Sequence, residues 1–408
     1  MSRRHKEKRK RKYSIIKKRR LCRRFFTGFF LRIGEDFTSY IFFKKVVEGI
    51  AIRDSFLRIV RRAIAVEIIG IILLGVIFAG NELRQGEAAF PASGQAAAAE
   101  QDYIKWVDFT VSYEALCRAY AWDVDTHGTT HEVDWVELLA YTAAKTGGEF
   151  DSKALSVLEK AAEALSEGEC SIEELTGDLK YYSYYHEAYD AVLGGMVGEY
   201  EEEMEDENGE MKYQSRYGLK AYFPLARGFD YSHYDDFGVG RSYGYKRKHL
   251  GHDMMGLTGT PIMAVESGYV EALGWNQYGG WRIGIRSFDG RRYYYYAHLR
   301  QNYPYAENLE EGSIVTAGDV IGYMGHTGYS TTENVNNIEV THLHWGLQLI
   351  FDESQKEGNN EIWIDLYALT RFLAKHTQPA QKVEGTKEWV RTNDIIDPSV
   401  EEALQAGS

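Results

Sequence analysis

The spacing of apolar residues along the chain separates a helical region from a later strand-rich region. Between about residues 103 and 200, apolar positions recur with the spacing of amphipathic helices. The apolar stripe at residues 135–141 predicts one helix, which Gly147 and Gly148 would end. Three further helical segments are predicted at residues 154–165, 172–179 and 181–200.

Beyond about residue 219 the pattern changes to short apolar runs that are separated by glycine-containing turns, which is typical of an antiparallel sheet. The runs are residues 262–273, 281–287, 292–299, 313–315, 320–324 and 342–350. A last helix at about residues 363–375 precedes a polar tail. The whole pattern predicts an α+β fold, in which a small helical module precedes an antiparallel β-sheet domain.

An apolar segment near the N-terminus has the minimal length of a membrane-spanning helix. Residues 63–80 contain a single charged residue, Glu67, and follow Arg58, Arg61 and Arg62. These flanks favour a transmembrane helix over a buried core helix, and they predict a cytoplasmic N-terminus with the later residues extracytoplasmic. A cleaved signal peptide is less favoured because its basic region would be unusually long. We therefore expect a single-pass protein of the cell membrane.

Charge is distributed unevenly along the chain. Residues 1–62 carry 21 Lys or Arg and five Asp or Glu, which leaves 26 basic and 55 acidic residues for the remainder. A basic arm beside a membrane segment is typical of contact with anionic lipid headgroups. This context favours a cytoplasmic membrane-bound arm, with no nucleic acid as partner. Residues 81–102 are rich in Ala, Gly, Gln and Glu and predict a linker.

The cysteines and the helical region offer no convincing metal ligands. The three cysteines do not form a metal set, although Cys117 and Cys170 could pair. Residues 123–128 with Asp134 resemble a calcium loop, but His127 stands where such a loop requires Asp or Asn. We interpret this segment as a polar loop.

Two histidine motifs carry the candidate chemistry. Residues 249–253 read His-Leu-Gly-His-Asp, which places an imidazole and a carboxylate four positions apart. His342 and His344 are two positions apart, and in a strand such side chains project from the same face. Two imidazoles and a carboxylate are a suitable set to hold Zn²⁺ with one coordination position open for water. The motifs predict a hydrolytic metal centre.

The strand-rich half strongly resembles the lysostaphin-type (LytM) zinc endopeptidases, which cut bacterial peptidoglycan peptides. The resemblance covers residues 219–351 and rests on several motifs in the family's order. These are 234–238 with Arg241, 249–253 (H-x-G-x-D), 259–262 with 264–268, 296–299 (Y-A-H-L), the turns 317–322 and 325–330, and 342–344. Residues 331–341 depart from the family pattern. They predict an added loop that rims the cleft, or a plain surface loop.

The resemblance implies that His249, Asp253 and His344 bind Zn²⁺, and that His298 and His342 are catalytic. It leaves open which of the two accepts the proton of the attacking water and which stabilises the oxyanion. The implied function is that of a membrane-anchored zinc metalloendopeptidase which hydrolyses amide bonds in peptidoglycan stem peptides or cross-bridges. The alternative is a catalytically silent LytM-type scaffold or partner-binding protein of the cell envelope.

We expect six parts along the chain. An envelope protein is a possible partner of one of them, the helical module. The parts are a basic cytoplasmic arm (1–62), a transmembrane helix (63–80), a linker (81–102), a helical extracytoplasmic module (103–212), a LytM-type metallopeptidase domain (213–351) and a C-terminal helix with a polar tail (352–408).

Overall fold

The computed structural model describes residues 103–242, 246–356, 358 and 360–406. The predicted basic arm, transmembrane helix and linker lie outside these described residues. Within the described part of the chain, no helix combines the length and the apolarity that crossing a bilayer requires.

The first helices begin at polar residues that cap their free backbone N–H groups. Ser112, Asp134, Asp151 and Ser171 each accept a hydrogen bond from the first turn of the helix that follows. The predicted end of the second helix is confirmed, since Gly147 adopts a φ of 72° there. The helices are α1 (Tyr113–Thr126), α2 (Trp135–Thr146), α3 (Ser152–Ser166), α4 (Ile172–Thr176) and α5 (Tyr182–Leu193).

The helix predicted for residues 181–200 is wrong at its C-terminal end. α5 ends at Leu193, two glycines follow, and strand β1 (Val197–Glu205) begins. β1 pairs along its whole length with β2 (Met211–Leu219). Backbone pairing with β2 therefore overrides the low strand propensity of a glutamate-rich segment. The helix predicted at residues 172–179 is also shorter, because α4 ends at Thr176.

The segment that resembles a calcium loop has a structural role. Asp123 lies in α1, and its carboxylate accepts hydrogen bonds from the backbone N–H of Trp135 at 2.9 Å and from the Tyr217 hydroxyl at 2.7 Å. Asp134 caps α2. The two carboxylates therefore fix the corner between α1 and α2. Cys117 and Cys170 are both free, so they do not pair.

The strand-rich half forms one large antiparallel sheet and three small ones, which confirms the antiparallel prediction. The large sheet has the order β11-β8-β9-β10-β13-β6-β3, with β14 paired to β13. Its strands are β3 (Ser232–His233), β6 (His252–Met255), β8 (Gly268–Asn276), β9 (Gly280–Ser287), β10 (Arg292–Ala297), β11 (Ile314–Val315), β13 (His342–Leu349) and β14 (Ile362–Trp363). The small sheets pair β4 (Gly240–Ser242) with β5 (Lys246–Lys248), β7 (Pro261–Met263) with β12 (Val320–Tyr323), and β15 (Ala380–Lys382) with β16 (Trp389–Arg391).

The C-terminal segment contains more structure than its polar composition predicts. The predicted last helix is α6 (Tyr367–Leu373), and the tail adds β15, β16, β17 (Ile395–Ile396) and α7 (Pro398–Ala406). β17 pairs with β1, so the tail completes a three-stranded sheet with β1 and β2.

The helices and the large sheet share one hydrophobic core, and the described residues belong to one compact unit. Phe372 of α6 packs between the helices, with its ring centroid 5.5 Å from that of Tyr120 and 5.9 Å from that of Trp135. On the sheet side the core contains Trp345 of β13, which is fully buried. The predicted boundary between residues 212 and 213 falls within β2, and the six-part division stays a prediction.

Candidate metal centre

Adjacent antiparallel strands bring the two histidine motifs together. Asp253 of β6 lies directly opposite His344 of β13, and such cross-strand partners have neighbouring side chains. His342 lies two positions before His344, so it shares that face of the sheet. His249 precedes β6 and is buried. The sheet register therefore places Asp253, His342 and His344 in one site, and His249 reaches it from the segment before β6.

Three of these side chains converge as metal ligands would. His249 Nε2 lies 3.0 Å from Asp253 Oδ1 and 3.1 Å from His344 Nδ1, and His344 Nδ1 lies 2.8 Å from Asp253 Oδ1. A tetrahedral site with bonds of about 2.0–2.1 Å has ligand atoms roughly 3.3 Å apart. Within the described part of the chain, this trio is the group of His, Cys, Asp or Glu side chains whose geometry could hold a metal ion. The donor set fits Zn²⁺.

Asp236 and Arg241 hold the ligands in place. His249 Nδ1 lies 3.3 Å from the carbonyl oxygen of Asp236, and an N–H donated there leaves Nε2 free to bind metal. Arg241 forms an ion pair with the Asp236 carboxylate and a second one, at 2.8 Å, with Oδ2 of Asp253. Arg241 therefore connects one ligand, Asp253, to the residue that orients another, His249.

His298 and His342 lie beside the ligands with their ring centroids 4.7 Å apart. His298 Nδ1 lies 2.9 Å from the carbonyl oxygen of Thr327, and His342 Nδ1 lies 2.8 Å from that of Val340. When Nδ1–H donates to a carbonyl oxygen, Nε2 is the atom left with a free lone pair. His298 also adopts a φ of 62°, an uncommon conformation for a residue other than glycine that is often found at functional sites.

Burial sets the protonation states around the centre. Burial lowers the pKa of His298 well below its usual value, and the nearby His342 and His344 lower it further. Burial also lowers the pKa of His344, against the opposing effect of Asp253. For Asp253, burial raises the pKa, but hydrogen bonds from His249 and His344 outweigh this and hold it well below its usual range. Neutral imidazoles beside an ionised carboxylate are the forms that bind metal.

An open groove borders the centre. Besides Asp253 and three of the histidines, it is lined by Arg241, Arg247, Tyr278, Tyr295 and Tyr329. In the sequence, Arg241 and residues 325–330 are recognisable only as family landmarks, and no motif singles out Arg247. The basic residues shortly before the H-x-G-x-D motif were the available signal for Arg247.

The remaining histidines of the motif regions lie outside the ligand trio. His252 alternates with Asp253 along β6, and its ring nitrogen Nε2 contacts His233 Nδ1 at 2.8 Å instead. Burial lowers the pKa of His252 to about 3. His326 Nδ1 lies 2.7 Å from the carbonyl oxygen of Ile338.

The added loop at residues 331–341 packs against the segment that supports His298. Asn334 Oδ1 accepts hydrogen bonds at 2.9 Å from the Trp281 indole N–H and from the backbone N–H of Asn302. Asn336 forms an isolated β-bridge with Thr327, whose carbonyl oxygen faces His298 Nδ1. The loop therefore contributes to the position of a candidate catalytic histidine.

Comparison with known families identifies this domain. The sequence profile of peptidase family M23 matches residues 247–357, the stretch that contains all five candidate site residues. The chain carries a domain of peptidase family M23. The resemblance to lysostaphin-type peptidases is thereby confirmed, and Zn²⁺ is the cofactor that suits the ligand set of the M23 domain.

Characterised relatives match this chain over part of their length. The L-Ala–D-Glu endopeptidase of Bacillus subtilis is 39% identical over 150 residues, which are 37% of this chain and 44% of that protein. Lysostaphin of Staphylococcus staphylolyticus is 38% identical over 89 residues, 22% of this chain and 18% of that protein. The chain thus spans less than half the length of either relative. A solved structure of a LytM-type protein from Ruminococcus gnavus has 25% identity and a TM-score of 0.44, and the match covers 66% of this chain and 90% of that one.

Proposed function

We propose that this protein is a zinc-dependent endopeptidase that hydrolyses amide bonds in peptidoglycan stem peptides or cross-bridges. The observation that carries the proposal is the arrangement of the five side chains. His249, Asp253 and His344 converge within ligand distance, while His298 and His342 stand beside them with Nδ1 already engaged. A scaffold protein has no need for two oriented imidazoles next to an open metal site.

The residues of this chain divide the chemistry between them. Bound Zn²⁺ would polarise the scissile carbonyl and lower the pKa of water at the site. The Nε2 atom of His298 or His342 accepts the proton of that water and can later deliver it to the departing amine. The other imidazole stabilises charge on the carbonyl oxygen in the transition state. Arg241 holds Asp253 in position through its 2.8 Å ion pair.

The test of this proposal is hydrolysis by the zinc-loaded full-length chain. Peptidoglycan sacculi of several chemotypes are incubated with the protein, and we expect new amino groups that mass spectrometry assigns to cleaved peptide bonds. Removal of zinc by a chelator should abolish the release, and added zinc should restore it. If zinc-loaded protein releases nothing from any chemotype, the scaffold function replaces the enzymatic one.

Substitutions of the proposed ligands test where the zinc binds. His249→Ala and Asp253→Ala should each lose bound zinc, as measured by elemental analysis of the purified protein. His131→Ala is the matched control, because His131 is exposed and lies in the helical region. Retention of one zinc per chain by both ligand variants would contradict the assigned site.

Membrane anchoring is proposed from the sequence of residues 1–80. A basic arm followed by an 18-residue apolar segment supports a single span with the M23 domain extracytoplasmic. In intact cells, a protease added from outside should digest the M23 domain and leave a tag at the N-terminus protected. A chain that fractionates without the membrane would contradict this arrangement. An envelope partner of the helical module should co-purify with the full chain after cross-linking, and the cross-linked peptides should come from α1–α5.

A further inference from the structure

Two arginines face each other across the short hairpin beside the metal centre. β4 and β5 pair antiparallel, with Arg241 opposite Arg247. Like charges at directly opposite positions of such a pair repel each other. Arg241 is compensated by the carboxylates of Asp236 and Asp253. Among the residues that the structure describes, no carboxylate lies within ion-pair distance of Arg247, so its positive charge lacks a partner there.

Arg247 is fixed where a substrate would lie. Its guanidinium donates a hydrogen bond to the Tyr329 hydroxyl, and its central carbon lies 5.2 Å from the centroid of that ring. The ring of Tyr329 is in turn 5.9 Å from the ring of His298. Arg247 and Tyr329 both line the groove that contains Asp253 and His344. The guanidinium is therefore held within the groove beside the reacting centre.

Part of this guanidinium has unused hydrogen-bonding capacity. Arg247 Nε is buried and has no hydrogen-bond partner in the described part of the chain. A buried donor without a partner costs free energy, so native proteins seldom keep one without a reason. A guanidinium presents its N–H groups as a planar fork that matches both oxygens of a carboxylate. Arg247 as a whole is half-buried, so a carboxylate in the groove can reach the accessible part of this fork and is the group that would satisfy its charge.

We propose that Arg247 determines the specificity of the groove by binding a carboxylate of the peptide substrate near the cleaved bond. This inference rests on the function proposed above and narrows its substrates to acidic peptides. A glycine cross-bridge, which has no side-chain carboxylate, would leave Arg247 without a partner. The preference is notable in a chain whose overall charge is −13, because the protein as a whole repels anionic peptides and the groove must attract them locally.

The experiment compares two stem-peptide analogues that differ in one functional group. Both carry L-Ala followed by a D-amino acid, which is D-Glu in one and D-Gln in the other, and pentaglycine serves as a third probe. We expect the zinc-loaded protein to cleave the D-Glu peptide with a kcat/KM about 10- to 100-fold higher than the D-Gln peptide, as for a charge-assisted hydrogen bond. Pentaglycine should be the poorest of the three.

Variants assign this preference to Arg247. Arg247→Met should lower kcat/KM for the D-Glu peptide more than for the D-Gln peptide, so that the ratio between the two values falls to about one. Arg247→Lys should keep part of the preference, because a lysine retains the charge and loses the fork. Arg282→Met is the matched control: Arg282 also has a buried, unpartnered Nε in the described structure, but it does not line the groove. It should leave the ratio between the two peptides unchanged.

Each outcome decides one question. Equal cleavage of the two peptides by the wild-type protein would overturn the inference without any variant. An equal loss on both peptides in Arg247→Met would assign Arg247 to transition-state stabilisation or to positioning Tyr329, and would also overturn it. Binding is measured by calorimetry alongside hydrolysis. Preferential binding of the D-Glu peptide without cleavage would contradict only the proposed function, whereas equal binding of the pair would contradict the role of Arg247.

Discussion

Gly251 lies between the ligands His249 and Asp253 in the sequence and close to the ring of the third ligand, His344. A Cβ atom at this position would lie 2.5 Å from Cε1 of His344 and 3.0 Å from the carbonyl oxygen of Trp345. The ring of His344 is held by its contacts with His249 and Asp253, and the carbonyl belongs to the backbone of a paired strand, so only glycine allows β6 and β13 to approach this closely. The middle position of H-x-G-x-D is thus explained by the packing of a metal ligand.

We therefore expect Gly251→Ala to weaken metal binding. Displacement of His344 should reduce zinc affinity about 10- to 100-fold, in the range seen when groups that orient ligands are removed. Competition titration against a chromogenic chelator measures this change. Gly240→Ala is the control, because a Cβ there meets nothing within 4 Å and the residue does not have a positive φ. An unchanged zinc affinity in Gly251→Ala would show that the strands have more freedom than the structure indicates.

Replacement of His298 should impair catalysis without impairing metal binding. Its ring contacts the site without belonging to the ligand trio, so His298→Ala should retain zinc and lose about 10²- to 10⁴-fold in kcat. Parallel measurements of zinc content and initial rate test this separation. His326→Ala is the control, since His326 also places Nδ1 beside a backbone carbonyl but, unlike His298, does not line the groove. Loss of zinc in His298→Ala would instead make His298 part of the metal site.

The resemblance to lysostaphin-type peptidases predicted the ligand trio, because its members belong to short motifs of fixed spacing. Asp236 and Arg241 were recognised only as landmarks, since their contacts with His249 and Asp253 depend on how the β4-β5 hairpin packs against β6. Arg247 was not singled out for the same reason. Its distinguishing feature is the absence of a carboxylate partner among the described residues, and a sequence pattern carries no such information.

At the scale of elements, a buried carboxylate attaches the C-terminal tail to the body of the protein. Asp397 follows β17, and its carboxylate accepts hydrogen bonds from Lys220 Nζ at 2.8 Å and from Ser267 Oγ at 2.7 Å. Burial raises the pKa of Asp397, but the interactions with Lys220, Ser267 and Ser399 outweigh it and leave the pKa lowered. A lowered pKa in the folded state means that the ionised carboxylate stabilises the fold.

Asp397→Asn should therefore destabilise the protein by about 3 kcal/mol at pH 7, because it leaves Lys220 without its charged partner. The extra stability of the wild-type protein is fully present above the pKa of about 3.9 that an aspartate has in the unfolded chain. It should disappear as the pH falls through the lowered pKa of Asp397 in the folded protein. Urea denaturation at pH 7 and at acidic pH measures the destabilisation and its dependence on pH. A chelator is present so that metal binding does not contribute. Glu114→Gln is the control, since its ion pair with Arg371 is exposed. A difference in unfolding free energy between the wild-type protein and Asp397→Asn that does not change with pH would contradict this role of the ionised carboxylate.

Element prediction succeeded where the signal is local. α2 begins at the side chain of Asp134 and ends at Gly147, and both are readable within one stretch of sequence. β1 and β17 were missed because a glutamate-rich segment and a two-residue strand become strands only by pairing with each other and with β2. The partner of β17 is distant in sequence. β2 follows β1 after a short turn, but the glutamate-rich sequence of β1 carries no strand signal, so neither periodicity nor propensity identified the two strands.

At the scale of the whole molecule, the helices and the M23 domain are joined by a continuous core. Phe372 follows the M23 match in the chain, yet its ring packs against Tyr120 and Trp135 of the helical region. The separate helical module was predicted from a change of periodicity, which locates a change of secondary structure but does not reveal which surfaces are buried together. A helical region that shares its core with the catalytic domain should unfold with it.

Phe372→Ala tests this coupling. The variant removes a buried ring at the junction, and we expect a loss of about 3–5 kcal/mol in the free energy of unfolding. Far-ultraviolet circular dichroism reports the helices, and release of zinc to an indicator reports the metal centre. Because both depend on one core, the two signals should still change at the same urea concentration, which is lower than in the wild-type protein. Leu404→Ala, at an exposed position of α7, should leave that midpoint unchanged. Helices that unfold while zinc remains bound would instead show two independent domains. The M23 domain would then stay folded without the helical region.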